Sequence, residues 1–104
     1  MKLSKEDIQK RVLKGGEPLS LELFEWNPET KTFSTRENGL VIDFSDIDNC
    51  TFDTNYNCTF DTGSGCTFDT DSHCTFKTGS DCTFDTSSYC TFDTNYNCTF
   101  TTGY

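Results

Sequence analysis

The most constraining feature of this sequence is a tandem octapeptide that fills its second half. Cysteine recurs every eight residues from Cys50 to Cys98, and each copy reads Cys-Thr-Phe-x-Thr followed by three variable residues. A fixed period of this kind is typical of a solenoid, in which each repeat packs only against its neighbours. Residues 50–104 therefore predict a chain that coils about an axis.

The order of residues within the octad predicts which side faces the core. Cys, Phe and the fifth-position Thr lie two residues apart, so they share one face of an extended strand, while the second-position Thr and the fourth-position Asp share the other. Burial of the Cys and Phe side chains is favourable, so the Thr and Asp side chains are predicted to face water. The Asp residues of this predicted acidic face are Asp53, Asp61, Asp69, Asp85 and Asp93.

The sixth residue of the octad predicts a tight corner. Gly, Asn or Asp occupies this position in every copy except the one with Ser87. These residue types tolerate a positive φ best, so each octad is predicted to be a five-residue strand closed by a three-residue corner. Two octads per turn would give a flat coil of two sheets, which we prefer because facing Cys and Phe side chains can fill a thin core. A triangular coil of three octads per turn and a series of antiparallel hairpins are the alternatives.

Residues 42–49 resemble a degenerate octad. Ile42 takes the place of Cys, and Phe44 falls where the Phe belongs. A solenoid needs its exposed ends covered, so this segment predicts a capping repeat. The repeat domain is therefore predicted to span residues 42–104.

Residues 1–41 predict a separate helix and β-hairpin that cover the N-terminal mouth of the coil. A capping box at Ser4 and an apolar stripe from Ile8 to Leu13 indicate the helix. Alternating leucines at 19–23, a turn at 27–30 and a returning strand at 31–36 indicate the extended segments. The fold class is mainly β: a parallel β-solenoid with a small N-terminal α+β capping module.

The C-terminal end of the coil has no comparable cap. An uncovered strand edge is a template for pairing with another chain. Phe100 and Tyr104 are therefore predicted to mediate self-association, as a homodimer.

The charge of the chain is concentrated in the repeats. The formal net charge is −9, and residues 1–40 hold as many basic as acidic side chains. An acidic surface argues against direct binding to nucleic acid or anionic membranes, and it favours a basic protein partner. About four turns of roughly 4.8 Å each give an axis of about 19 Å. The net charge of −9 over that length approaches the density of duplex DNA, about one charge per 1.7 Å.

The sequence contains no recognisable catalytic, cofactor or metal motif. No two cysteines lie closer than eight residues, whereas zinc motifs pair cysteines two to four residues apart. We expect them to be reduced, buried thiols. We interpret His73 and its neighbouring serines as corner residues rather than parts of a catalytic dyad, and we expect no enzymatic activity. The sequence has no apolar run typical of a membrane span or secretory signal, which predicts a cytoplasmic protein, in the host cytoplasm if a phage encodes it.

The Cys-Thr-Phe-x-Thr octads, with the lead-in segments 18–26 and 32–35, resemble small bacteriophage and prophage proteins of unassigned activity. The architecture is also similar to that of pentapeptide-repeat proteins, some of which mimic DNA, although the period here is eight rather than five. The resemblance implies little about activity, and only the analogy of an acidic β-coil carries over. Our leading hypothesis is a phage-type, non-enzymatic inhibitor whose acidic face binds the basic nucleic-acid site of a host defence protein, such as a CRISPR effector or another nuclease. The alternatives are a homo-oligomeric rod or phage particle component, and an ice-binding array of Thr side chains.

Overall fold

A computed structural model describes residues 3–102 as a parallel β-solenoid of about 4 turns with a short N-terminal helix. Helix α1 spans Lys5–Gln9, and a 3₁₀ turn spans Leu21–Leu23. The strands before the repeats are β1 (Val12–Lys14), β2 (Glu17–Pro18), β3 (Phe24–Asn27), β4 (Thr32–Thr35) and β5 (Leu40–Phe44). The repeat strands are β6 (Thr51–Asp53), β7 (Thr59–Thr62), β8 (Thr67–Asp69), β9 (Thr75–Lys77), β10 (Thr83–Asp85), β11 (Thr91–Asp93) and β12 (Thr99–Thr101).

The strands form two six-stranded sheets that face each other across the core. Sheet 1 has the order β11-β9-β7-β5-β1-β2, and sheet 2 has the order β12-β10-β8-β6-β4-β3. Phe52 pairs with Phe68 in sheet 2, and Phe60 pairs with Phe76 in sheet 1. Equivalent positions therefore recur about 16 residues apart. The predicted coil of two octads per turn is confirmed, and the triangular and hairpin alternatives are wrong.

Phenyl rings from both sheets fill the core. Neighbouring rings within a sheet stack in parallel, as Phe68 does on Phe84, with centroids 4.8 Å apart and planes 3° apart. Rings from opposite sheets meet edge to face, as Phe60 and Phe68 do at 5.3 Å and 77°. The phenyl quadrupole favours edge-to-face pairs over an eclipsed sandwich, and the buried rings contribute most of the apolar area. The predicted burial of Cys and Phe is confirmed through most of the coil.

The corners differ from the prediction in two respects. The hydrogen-bonded strand of most octads covers three residues, Thr-Phe-x, rather than five. The residue with a positive φ is the eighth of the octad rather than the sixth, as at Asn57 (φ 61°) and Gly65 (φ 70°). The backbone therefore makes its left-handed step immediately before each Cys. The sequence carried this signal, because Asn, Gly and Asp are also frequent at the eighth position.

Glycine at the sixth position has a different cause, which is close approach between turns. A Cβ atom on Gly63 would lie 2.1 Å from Asp48 Oδ1, and one on Gly79 would lie 2.2 Å from Ser64 Oγ. Both oxygen atoms accept a hydrogen bond from a backbone N–H of the next turn. Asp48 Oδ1 accepts from the Ser64 N–H at 2.9 Å, and Ser64 Oγ accepts from the Ser80 N–H at 3.1 Å. The missing side chain therefore leaves room for a row of hydrogen bonds along the coil.

The segment before the first complete octad has a different register from the predicted one. Ile42 pairs with Phe60, so it occupies the Phe position, and Phe44 lies opposite Thr62. The alignment of Ile42 with Cys is therefore wrong by two residues. Correct pairing places Leu40, Ile42 and Phe44 in the core, where each is fully buried.

Strand β4 also behaves as a repeat strand, which the period of eight does not reveal. Phe33 pairs in parallel with Phe52. The spacing between them is 19 residues (52 − 33), because the connection through β5 is longer than in a regular turn. Since β4 and β5 belong to the same two sheets as the octads, the domain boundary at residue 41 stays a prediction.

The N-terminal helix is shorter than predicted. Its capping box is present: Ser4 Oγ accepts from the Asp7 N–H at 3.2 Å, and the Ser4 N–H donates to Asp7 Oδ2 at 3.0 Å. The helix nevertheless ends at Gln9, and Val12–Lys14 form strand β1, antiparallel to β5. Pairing with the open edge of sheet 1 satisfies this backbone, and it covers a strand edge that would otherwise be exposed.

The predicted hairpin that ends sheet 2 is confirmed. Strands β3 and β4 are antiparallel, and Asn27 Oδ1 accepts from the Glu29 N–H at 2.9 Å within the turn. Residues 21–23, predicted to be part of a strand, form the 3₁₀ turn instead. The Phe24 and Phe33 rings pack at 5.4 Å, and Trp26 contacts Phe44 at 6.0 Å. Aromatic side chains thus close the N-terminal mouth of the core.

Candidate interaction surfaces

The outer surface of sheet 2 carries an uninterrupted column of carboxylates. Asp53, Asp69 and Asp85 pair in register on β6, β8 and β10. Neighbouring strands lie about 4.8 Å apart, which sets the spacing of these residues. Ser34 precedes the column on β4, and Thr101 follows it on β12. We call the surface formed by these three Asp side chains the acidic face.

The acidic face is electrostatically unfavourable in the free protein. Partial burial, together with the charges of Asp53 and Asp85, raises the pKa of Asp69 above its ordinary value. Like charges directly opposite each other in neighbouring strands are destabilising. A cationic group bound to this face would relieve the repulsion.

The outer surface of sheet 1 is different, because a lysine interrupts its acidic column. Lys77 pairs with Asp61 on one side and with Asp93 on the other, and Asp43 precedes Asp61 on β5. Asp61 and Asp93 were predicted to share one acidic face with Asp53, Asp69 and Asp85. The octads alternate between sheets, so consecutive octads place their Asp side chains on opposite sides of the coil.

A depression of about 570 Å³ lies where the acidic face meets the N-terminal cap. Glu22, Glu25, Glu37 and Asp53 line it, together with Arg36. Lys14 Nζ lies 2.9 Å from Glu37 Oε1, so part of this acidic charge is neutralised within the protein. Lys5 Nζ lies 3.9 Å from Glu25 Oε2, and Arg36 lines the depression, so the depression carries little net charge beyond that of Asp53.

The cysteines form two columns inside the coil. All seven are free thiols, and only Cys90 and Cys98, near the C-terminal end, are partly exposed. The thiols approach corner carbonyl oxygens of the preceding turn, as Cys74 Sγ does at 3.5 Å from Asn55 O. Burial raises the pKa of Cys82, which favours a neutral S–H group that can donate to such carbonyls. Within residues 3–102, no three His, Cys, Asp or Glu side chains converge to form a metal site.

Two kinds of corner alternate along the coil. Corner 1 runs from sheet 2 to sheet 1 and comprises residues 54–57, 70–73 and 86–89. Corner 2 runs from sheet 1 to sheet 2 and comprises residues 62–65, 78–81 and 94–97.

The fifth-position Thr hydroxyls distinguish the two corners. In corner 2, Thr62 Oγ1 donates to Gly63 O at 3.4 Å and Thr78 Oγ1 donates to Gly79 O at 3.2 Å. In corner 1, the buried hydroxyls of Thr54, Thr70 and Thr86 have no hydrogen-bond partner. A buried hydroxyl without a partner is destabilising, so corner 1 is the less well satisfied of the two.

Corner 1 also carries an exposed aromatic pair. His73 and Tyr89 lie in consecutive turns, and their rings stack with centroids 5.1 Å apart. Nδ1 of His73 lies 3.1 Å from Ser72 Oγ, a contact within the corner itself. Sequence reasoning assigned His73 to a corner but did not single out Tyr89. The available signal was a bulky aromatic residue at the octad position otherwise filled mostly by Asn, Gly and Asp.

The C-terminal end of the coil exposes part of its aromatic core. Phe100 is 44% exposed, whereas Phe84, one turn earlier in the same sheet, is fully buried. Within residues 3–102, no segment covers the outer edges of β11 and β12. Tyr104, the other residue predicted to mediate self-association, lies outside the described residues.

Comparison with protein-family models, with curated proteins and with solved structures yields no match to this chain. Among residues 3–102, no helix is both long and apolar enough to cross a bilayer.

Proposed function

We propose that this protein is a non-enzymatic, phage-type inhibitor that acts in the host cytoplasm, where its acidic face binds the basic nucleic-acid site of a host defence protein. A CRISPR effector or another nuclease is the class of target with such a site. The observation that carries the proposal is the column of Asp53, Asp69 and Asp85, which no basic residue of sheet 2 interrupts. Complementary potentials of this kind steer association and select partners.

The geometry limits how much nucleic acid this face can replace. Its carboxylates follow one another at about 4.8 Å, whereas phosphates follow one strand of DNA at about 3.4 Å along the helix axis. Because Asp61 and Asp93, the other fourth-position Asp residues, lie on the opposite sheet, the face corresponds to a short stretch of one strand rather than to a duplex. The depression lined by Glu22, Glu25 and Glu37 adds little net charge at one end, because Lys5, Lys14 and Arg36 offset these carboxylates.

Two triple variants with equal changes in charge test the proposal. The first replaces Asp53, Asp69 and Asp85 by Asn, and the second replaces Asp43, Asp61 and Asp93 by Asn. The assay measures DNA cleavage by guide-loaded CRISPR effectors, each at two salt concentrations, with increasing amounts of each variant. We expect wild-type protein to inhibit a susceptible effector more strongly at low salt.

The acidic-face variant should lose inhibition by at least tenfold, and the sheet 1 variant should retain most of it. Equal loss in both variants would show that net charge alone is responsible. Inhibition that does not change with salt would contradict an electrostatic interface.

A second candidate function, a homo-oligomeric assembly, is favoured by the outer edges of β11 and β12, which no segment of residues 3–102 covers. Strand β12 lies half a turn beyond β11, so the two sheets end at different heights. A two-fold axis parallel to the strands and midway between the sheets would place β11 of each copy beside β12 of the other. This arrangement closes both edges at once, with antiparallel pairs, because strands of the two sheets run in opposite directions.

The residues at this end are compatible with such a dimer. Partly exposed Phe100 would pack against the partner's Phe92. Thr101 replaces the Asp of other octads on the last strand of sheet 2, which removes one carboxylate from the junction. Sedimentation velocity should show a dimer that Phe100→Glu converts to a monomer, while Tyr96→Ser leaves it intact. A wild-type monomer at high concentration would exclude the assembly.

A further inference from the structure

Tyr89 has a backbone conformation that its side chain disfavours. Its φ is 61°, in the left-handed region. The equivalent residues in other octads are Asn, Gly, Asp and His, which occupy this region at lower cost. A bulky aromatic residue in this conformation is an outlier, and outliers of this kind cluster at functional sites.

Burial does not compensate for this conformation. The Tyr89 side chain is 73% exposed, and its one described ring contact is the stack on His73 at 5.1 Å. Asn49, Asn57 and Asn97 show that asparagine serves the same backbone position in this coil. The fold therefore gains little from a tyrosine here beyond the stack itself.

The position of Tyr89 indicates what its ring could bind. Corner 1 leaves sheet 2 directly after the acidic face, and Tyr89 is the last residue of that corner, four residues after Asp85 and two before β11 of sheet 1. Asp71 lies in the equivalent corner of the preceding turn. A guanidinium group can pair with a carboxylate and stack on an aromatic ring at the same time. An ammonium group lacks the planar, multidentate geometry for both contacts.

We propose that Tyr89, stacked on His73, is the anchor by which the acidic face selects arginine side chains of its basic partner. This inference rests on the proposed function, because it names the partner chemistry of the same surface. One exposed tyrosine then provides a preference for arginine over lysine that the carboxylates alone do not provide.

Tyr96 supplies a matched control. It is 70% exposed, close to the value for Tyr89. It lies in corner 2, after Asp93 of sheet 1, and its φ is not positive. A substitution of Tyr96 therefore removes an equally exposed ring from corner 2 while leaving corner 1 unchanged.

The test compares labelled deca-arginine and deca-lysine peptides by fluorescence anisotropy at low salt. We expect wild-type protein to bind deca-arginine more tightly. Tyr89→Asn should lower the arginine-over-lysine ratio of affinities by about 2- to 5-fold, the range for an exposed cation–π contact. Tyr89→Phe, which keeps the ring, and Tyr96→Asn should leave the ratio near the wild-type value. Thermal unfolding should show that Tyr89→Asn is at least as stable as the wild type.

The outcomes separate this inference from the proposed function. An unchanged ratio in Tyr89→Asn, or an equal fall in Tyr96→Asn, would overturn the arginine anchor while leaving the acidic face intact. Loss of stability in Tyr89→Asn with no change in the ratio would assign the tyrosine to folding alone. If wild-type protein binds neither peptide, the acidic face and its anchor both fail. They also fail if replacing Asp53, Asp69 and Asp85 by Asn leaves the affinity for both peptides at the wild-type value.

Discussion

The two corners of the coil share one octad pattern, yet they differ in how well their groups are satisfied. In corner 2, Gly63 and Gly79 admit a row of inter-turn hydrogen bonds, and the Thr hydroxyls have partners. In corner 1, the buried Thr hydroxyls have none, and Tyr89 holds a left-handed backbone. The unfavourable features are concentrated in corner 1: its Thr residues directly follow the Asp residues of the acidic face, and Tyr89 lies at the other end of the corner, two residues before β11 of sheet 1. Because unfavourable conformations of this kind cluster at functional sites, we infer that corner 1 contributes to the interaction surface.

The two sheets also differ in how far their charged side chains are compensated by neighbours of opposite charge. Sheet 1 places Lys77 between Asp61 and Asp93, so neighbouring charges attract. Sheet 2 places Asp69 between two other carboxylates, and the pKa of Asp69 rises. Lys77 compensates part of the negative charge of sheet 1, where Asp43 also pairs with Asp61, whereas no basic residue of sheet 2 compensates the acidic face.

The largest expected effect tests whether corner 2 requires the close approach of neighbouring turns at its glycine positions. Gly63→Ala would place a Cβ atom 2.1 Å from Asp48 Oδ1 and 2.6 Å from Ile47 O. Because one of these atoms belongs to the backbone, we expect a loss of about 1–3 kcal/mol in the free energy of unfolding. Ser87→Ala, at the same octad position in corner 1, should change it by less than about 0.5 kcal/mol. Urea unfolding measures both, and equal losses would remove this distinction between the corners.

A valine scan of the buried hydroxyls tests the hydrogen-bonding difference. Thr62→Val removes a hydroxyl that donates to Gly63 O, so it should cost about 0.5–1 kcal/mol. Thr70→Val removes a buried hydroxyl that lacks a partner, so it should be neutral or stabilising. The two threonines are similarly buried, so the difference in urea midpoint reports the hydrogen bond. A clear loss in Thr70→Val would show that its hydroxyl is satisfied, for example by an ordered water molecule.

The sequence was sufficient to predict the coil, because identical residues at a fixed period leave few ways to bury Phe and Cys. It was insufficient for the corners, where Gly63 and Asn57 look alike as turn residues. Gly63 serves close approach, whereas Asn57 serves a left-handed backbone. The split of the Asp residues follows from two octads per turn. It could have been predicted once that number was accepted, and the same step would have placed Lys77 beside Asp61 and Asp93.

The N-terminal register was harder to predict for a physical reason. Ile42 and Phe44 are both core residues, so hydrophobicity alone does not decide which of them continues the Phe column. The pairing of Val41 with Thr59 decides it, and this depends on the length of the connection before the first complete octad. Tyr89 was missed because the positive φ was assigned to the sixth octad position, so an aromatic residue at the eighth position was not recognised as unusual.

The free energy of unfolding of a Tyr89 variant further tests whether corner 1 is the less stable of the two corners. The left-handed conformation costs a non-glycine residue about 1–2 kcal/mol, and an aromatic stack returns about 0.5–1.5 kcal/mol. Tyr89→Asn should therefore raise the free energy of unfolding by up to about 1 kcal/mol, measured by urea unfolding. Tyr96→Asn relieves no such conformation, so it should not increase stability. Destabilisation by Tyr89→Asn would mean that the stack on His73 outweighs the backbone cost.

The smallest expected effect is a pH-dependent change in the free energy of unfolding, which should have opposite signs for Asp variants on the two sheets. The pKa of Asp69 is raised in the folded state above its reference value of 3.8, so the folded protein binds this proton more tightly than the unfolded chain does. Stability is therefore lost as pH rises from 3.8 through the raised value. Asp69→Asn should stabilise the protein at neutral pH by about 0.5 kcal/mol, the scale for opposed like charges on neighbouring strands, and the gain should disappear below pH 3.8.

Asp93→Asn is the control on sheet 1, because Asp93 lies on the edge strand β11 and its in-register neighbour is Lys77. It removes an attraction to Lys77 rather than a repulsion, so it should slightly destabilise the protein at neutral pH. Urea midpoints for both variants between pH 3 and 7 measure the difference. If both substitutions stabilise the protein equally, relief of net negative charge explains them, and the local arrangement of the two faces has no energetic consequence. Opposite signs would show that the carboxylates of the acidic face repel one another while Lys77 stabilises its neighbour on sheet 1, so a cationic partner gains more by binding the acidic face.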